Sequence, residues 1–110
     1  MDILATIHCT GFKLGIAAVN VINTYYGRPD IPLGAYKGPF GRDYGSQNNY
    51  AEDLINNYPT DVKDYDDVPD AYDTYVKVLQ AQPDNSVTIA AIGFPMNIRN
   101  LLRNSPDLFE

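Results

Sequence analysis

His8 and Cys9 place an imidazole beside a thiol at the end of the apolar run Ile3–Cys9. A histidine near the carboxyl end of a strand stands where open α/β folds bind ligands, and there it can serve as a base or a hydrogen-bond donor. Against this, perturbed or strand-borne histidines are often structural groups with their hydrogen bonds satisfied. Cys9 has no basic neighbour except His8, so its residue types favour a buried, inert thiol over a nucleophile. Asp61, Asp64, Asp66 and Asp67 form an acidic cluster. Calcium prefers several carboxylate oxygens around one point, but the glycine and terminal glutamate of a calcium-binding loop are missing. The cluster is therefore expected to be a solvated acidic loop in which Asp67 caps a following helix. Gly11 and Gly15 do not make a dinucleotide fingerprint, and a plain strand-to-helix turn accounts for them. No carboxylate pair has a spacing that fixes it for glycosidic acid–base work, and no Ser-His-Asp or Cys-His arrangement exists beyond the adjacent pair at 8 and 9.

Local pattern supplies the elements that would position these groups. Ile3–Cys9 is short, apolar and rich in β-branched residues, the pattern of a buried parallel strand. Leu14, Ala17, Ala18, Val21, Ile22 and Tyr25 recur at three-and-four spacing, predicting a helix over 14–26 that Gly27 and Pro29 close. Ile31–Tyr36 is a second short strand, so the first 36 residues make a strand–helix–strand crossover unit. Residues 38–67 are a long excursion rich in Tyr, Asp and Asn, with one helical turn near Ala51–Asn57, and its tyrosines are expected to pack on something. A helix with its apolar face at Ala71, Tyr72, Tyr75, Val76 and Leu79 follows, ended by Pro83. Val87–Ile92 has the strongest strand character in the chain, and Gly93-Phe94-Pro95-Met96-Asn97 turns it into a helix ending near Asn104. Ser105-Pro106-Asp107 has the form of another helix start.

The 110 residues fit one domain, 1–110, and 45% hydrophobic residues is ordinary for a chain folding around a core. Fourteen acidic against eight basic residues give a net charge of -6, which repels nucleic acid and anionic lipid, so neither nucleic acid nor membrane is expected as a partner. One cysteine gives no internal disulfide, and no signal peptide or long apolar span is visible, making a cytoplasmic location the default expectation.

Two stretches carry a resemblance. Asp2-Ile-Leu-Ala-Thr-Ile-His-Cys9, with Val21-Ile-Asn-Thr-Tyr-Tyr-Gly-Arg-Pro-Asp-Ile-Pro-Leu-Gly34, is similar to the second strand, helix and third strand of the inosine-uridine preferring nucleoside hydrolases. Ser86-Val-Thr-Ile-Ala-Ala-Ile-Gly-Phe-Pro-Met-Asn-Ile98 resembles that family's strand ending in Gly-Pro-Leu-Thr-Asn-Leu, in the same order and at a similar separation. The resemblance covers most of the chain, with little from 38–67. It implies an α/β, partial nucleoside-hydrolase-like (Rossmann-like) three-layer fold with a short, mainly parallel sheet.

The family's enzymes are calcium-dependent and hydrolyse the N-glycosidic bond of ribonucleosides to base and ribose. Their calcium and catalytic aspartates come chiefly from an Asp-x-Asp-x-x-x-Asp-Asp motif after the first strand, and the region resembled here begins beyond it. The resemblance carries over no catalytic residue. It places one calcium-binding main-chain carbonyl at Ile92, puts Phe12 where the family has a ribose-binding asparagine, and sets Met96 for the motif's threonine while keeping Asn97, a brace for the turn and helix start. Because calcium takes about six to eight oxygen ligands, one carbonyl does not hold it, and this chain alone is not expected to bind the ion. Two functions follow as expectations: a fragment or truncated homologue of a nucleoside hydrolase, inactive alone and taking a ribonucleoside only when its site is completed, or a non-catalytic module that assembles with itself or with a partner chain covering its exposed sheet edges. A small ligand-binding α/β domain unrelated to nucleosides is a third reading.

Overall fold

The parallel pair of strands is shorter than the sequence pattern suggests. In the computed structural model, which describes residues 1–42 and 49–109, β1 is Thr6–His8 and β2 is Leu33–Ala35. They run parallel in the register Thr6 to Leu33, Ile7 to Gly34 and His8 to Ala35. Thr6 N–H donating to Pro32 O and Tyr36 N–H donating to His8 O extend the ladder by one bond at each end. The expected spans Ile3–Cys9 and Ile31–Tyr36 shrink because a strand exists only where a ladder does, and the outer residues of each run have no paired backbone.

Helix α1, Gly15–Tyr25, makes the crossover. Its buried residues include Ile16, Ala17, Ala18 and Val21, while Ile22 and Tyr25, expected on the same face, are exposed. Tyr26 ends it, Gly27 takes a positive φ of 75°, and the N–H groups of Gly27 and Arg28 donate back to Thr24 O and Asn23 O. This is a left-handed glycine stop satisfying two terminal carbonyls. Arg28 then pairs with Asp30 at 3.1 Å.

Helix α2, Asn49–Asn57, lies on α1: Ala51 packs with Phe12 and Ala18, with Leu54 beside them. Residues 43–48 of the excursion lie outside the described residues. Residues 60–68 strap the outside of α1, where the buried Asn20 side-chain oxygen accepts from the Thr60 hydroxyl at 2.8 Å and from Asp61 N–H at 3.1 Å. Val62, Tyr65 and Val68 close the main core over Ile16, Ala17 and Ala35. Among the excursion's tyrosines Tyr65 is buried as expected, whereas Tyr50 and Tyr58 are exposed.

Helix α3, Ala71–Gln80, starts later than the sequence pattern suggests. Its cap is Asp70, whose carboxylate accepts from Tyr72 N–H at 2.9 Å, and not Asp67, which lies in a short 3-10 turn at Tyr65–Asp67. Pro69 O accepts from Ala35 N–H, and Asp70 bridges to Ala35, so the chain stays extended through Asp70. Strand alternation separates the two helices that cover the sheet. Gly34 and Ile7 lie toward Thr74 of α3, whereas Ala35 joins Ile16 and Ala17 of α1 and His8 lies over Gly15. The result is helix, sheet and helix in three layers.

Val87–Ile92 is not a strand: it is unpaired, and among the described residues no backbone hydrogen bond reaches it. A cleft of ≈ 290 Å³ separates it from β1, lined by Ile3–Ile7 on one side, by Val87, Ala90 and Ile92 on the other, and by Tyr75, Val78 and Leu79 of α3. Strand pairing needs backbones about 4.8 Å apart, and the cleft stands in place of that contact. The expected second αβα passage therefore has its helices without its strand. Helix α4, Met96–Asn104, packs on α3, and a single 3-10 turn at Pro106–Phe109 realises the last predicted helix start. The Ser105 hydroxyl, instead of capping that turn, pairs with Tyr72 Oη at 2.7 Å. No described helix is long and apolar enough to cross a membrane.

Candidate functional site at the carboxyl end of the sheet

Parallel strands present their carboxyl ends to one side, and ligands of open α/β folds bind there. In this chain that side gathers His8, Cys9, Tyr36 and the turn 92–97. His8 is held on both ring edges. Its Nδ1 lies 3.2 Å from Thr10 O, an atom that only accepts, so Nδ1 carries the proton. The opposite edge of the ring, with Nε2, faces the α-carbon of Gly15 so closely that a Cβ there would overlap it. Burial lowers the imidazole pKa below its usual 6.5, against an opposing contribution from the Thr10 contact. A neutral ring clasped in this way is a packing group between β1 and α1, in keeping with the structural reading.

Cys9 is a half-buried free thiol resting against the α-carbon of Gly93, where a side chain would collide with its sulfur. The thiol lines an opening of ≈ 250 Å³ with Tyr75, Ile92, Phe94 and Asn97. The Tyr75 phenol pKa is raised, first by burial and then by the charge Cys9 would carry. No Lys, Arg or His side chain is among the residues lining this opening.

Asn97 ties the two ends of the chain together. It is 5% exposed, and its Nδ2 donates to His8 O at 3.1 Å across 89 residues of sequence. His8 O also accepts Tyr36 N–H at 3.0 Å, so the last carbonyl of β1 is shared between β2 and α4. The sequence places Asn97 as a local brace of the turn and helix start. Its partner in fact lies on a strand at the other end of the chain, which no local pattern reveals. Above this junction Phe40 and Phe94 meet edge to face, 4.7 Å between centroids. Phe40 O accepts Gly11 N–H at 2.7 Å.

Of the residues singled out by the family resemblance, Ile92 and Asn97 line one opening and Phe12 lies in a different cluster. Phe12 is buried against Ala18 and Ala51, directed into the α1–α2 core and away from the strand ends, which accommodates its bulk. Ile92 is 97% exposed, and no group of three or more His, Cys, Asp or Glu suited to a metal occurs among the described residues. Of the aspartate cluster, Asp64 accepts from Asp66 N–H, Asp67 from Lys63 N–H, and Asp66 lies 3.6 Å from Lys13 Nζ. These carboxylates shape a surface turn. Calcium takes about six to eight oxygen ligands, and no Asp or Glu is among the residues lining the opening at the carboxyl end of the sheet.

No family model matches the chain, and neither a curated protein nor a solved structure matches it. The fold and site thus define a small α/β chain with four described helices around a two-stranded parallel sheet.

Proposed function

We propose that this chain is a portion or truncated homologue of a nucleoside hydrolase, an enzyme that splits the N-glycosidic bond of ribonucleosides into base and ribose, and that it is inactive by itself. The observation that supports this reading most is the Asn97–His8 bond. It joins the turn of the second resembling stretch to the strand end of the first, at the side of the sheet where such a site would be assembled. The left-handed stop at Gly27 and the Arg28–Asp30 pair give a structural reason for the most specific run of the resemblance. On this reading the aspartates for metal and water come from outside these residues. Sequencing the natural transcript upstream of Met1 tests it: an in-frame Asp-x-Asp-x-x-x-Asp-Asp segment is expected, and an in-frame stop immediately before Met1 removes the fragment version.

A non-catalytic interaction module is the second reading, favoured by the open β1 edge and by the exposure of Met1, Ile3 and Ile92 beside it. Apolar surface and free strand edges of this kind are normally covered. Light scattering on the purified chain is expected to show self-association or a bound partner, and a stable, unaccompanied monomer at high concentration counts against the module.

A further inference from the structure

The dipeptide Asn-Ser occurs twice in the chain, at Asn85-Ser86 and at Asn104-Ser105, and every other asparagine precedes a larger residue than serine. Asparagine is a thermolabile side chain. Before a small residue it is at its most reactive, because the backbone nitrogen of that residue can attack the side-chain amide carbon, and a bulky or β-branched follower crowds the attack.

The fold treats the two pairs oppositely. Asn104 is the last residue of α4, where its Nδ2 donates to Asn100 O at 2.9 Å and the Ser105 N–H donates to Leu101 O at 2.8 Å. The amide that would be attacked and the nitrogen that would attack it are thus each tied to a different carbonyl of the helix. Asn85 lies exposed in the connection 81–86 that follows α3, with a positive φ of 57°. Asparagine is among the few side chains that enter this left-handed region readily. The Ser86 hydroxyl donates to Pro83 O and closes the turn. Among the described residues, neither the Asn85 amide nor the Ser86 N–H has a hydrogen-bond partner.

We infer that Asn85 is a site of spontaneous deamidation in the folded chain, and that the fold protects Asn104 in the same dipeptide. Ser86 N bonds to Asn85 Cγ and gives up its proton, the Cγ–Nδ2 bond breaks, and the amide nitrogen leaves with that proton as ammonia. A five-membered succinimide remains. One water then opens it: addition at the side-chain carbonyl gives aspartate, and addition at the backbone carbonyl gives isoaspartate, in which the main chain runs through the former side chain. Residues 84–86 line an opening of ≈ 290 Å³ together with Asp107, Leu108 and Phe109. Either product therefore sets a third carboxylate beside those of Asp84 and Asp107, in a chain whose net charge is already -6. Isoaspartate also lengthens the connection between α3 and residues 87–92 by one backbone carbon.

The test incubates the full 110-residue chain at neutral pH, once folded and once in concentrated urea. Peptide mass spectrometry follows the conversion of amide to acid at each asparagine, and electron-transfer fragmentation separates aspartate from isoaspartate. In the folded chain Asn85 is expected to convert about tenfold faster than Asn104, or more, since two hydrogen bonds must open at Asn104 before the attack. In urea the two sites are expected to convert at similar rates, because they share a dipeptide and neither is held. Ser86→Val, which crowds the attacking nitrogen, is expected to slow conversion at Asn85 and leave Asn104 unchanged. The inference is overturned if Asn85 stays intact in the folded chain, if Asn104 converts there as fast as Asn85, or if Ser86→Val leaves the rate at Asn85 as it was.

Discussion

Asn97 is the side chain on which the junction of the two halves turns. Its amide reaches a carbonyl that already holds one bond from Tyr36, so removing it leaves His8 O with a single partner. Asn97→Ala is expected to cost about 1–2 kcal/mol, read as a lowered urea midpoint with an unchanged slope. Gly15 is the matching small residue: a Cβ there collides with the His8 ring, so Gly15→Ala destabilises despite alanine's better helix propensity of about 1 kcal/mol. In a double-mutant cycle His8→Ala removes most of that penalty. His8 also fixes a pH dependence. Because burial lowers its folded pKa, the unfolded chain binds a proton at pH values where the folded chain does not. Stability is therefore retained above about 6.5, falls as pH drops from 6.5 toward the folded pKa, and levels off below it. Urea titrations between pH 7.5 and about 5 are expected to show this loss in the natural chain, less of it in His8→Gln, and a parallel pH dependence of the two chains would contradict the assignment.

At the scale of elements, apolar periodicity located α1 and α3, the turn at Gly93–Asn97 located α4, and the helical turn expected near Ala51–Asn57 is the longer helix α2, Asn49–Asn57; boundaries moved where long-range backbone bonds intervened. The start of α3 is the clearest case. Pro69 and Asp67 look like first-turn and capping residues, but Pro69 and Asp70 are held extended by Ala35, so the helix starts at Ala71 with Asp70 as its cap. Asp70→Ala is expected to cost about 1 kcal/mol and lower the melting temperature, with a smaller change for Asp67→Ala, which loses only an exposed bond from Lys63 N–H. Val87–Ile92 is the opposite lesson. Its composition has strand propensity, yet propensity describes fitness for a pleated, half-buried surface, and this segment has no backbone hydrogen-bond partner among the described residues. Whether an extended run joins a sheet depends on a partner, and its own residues do not encode one.

For the whole molecule, the α/β character and the crossover from β1 through α1 to β2 were legible, since short apolar strands flanking an amphipathic helix leave few arrangements. The candidate site was legible only as separate residues. Sequence reading placed His8, Phe12, Ile92 and Asn97 near strand ends. The structure joins Asn97 to His8, turns Phe12 into the helical core and leaves Ile92 exposed. These differences arise from packing between segments far apart in sequence. They leave a carboxyl-end face with a shared carbonyl, a clasped neutral imidazole and a half-buried free thiol, and no cluster of carboxylates suited to a metal among the described residues. The central claim, a nucleoside-hydrolase-like unit that does not complete a hydrolytic site alone, is tested most directly by a reducing-sugar assay. The purified 110-residue chain, shown to be folded by circular dichroism, would be given inosine and uridine with and without calcium. The account predicts no ribose above the enzyme-free blank in either condition, and calcium-dependent ribose release would contradict it.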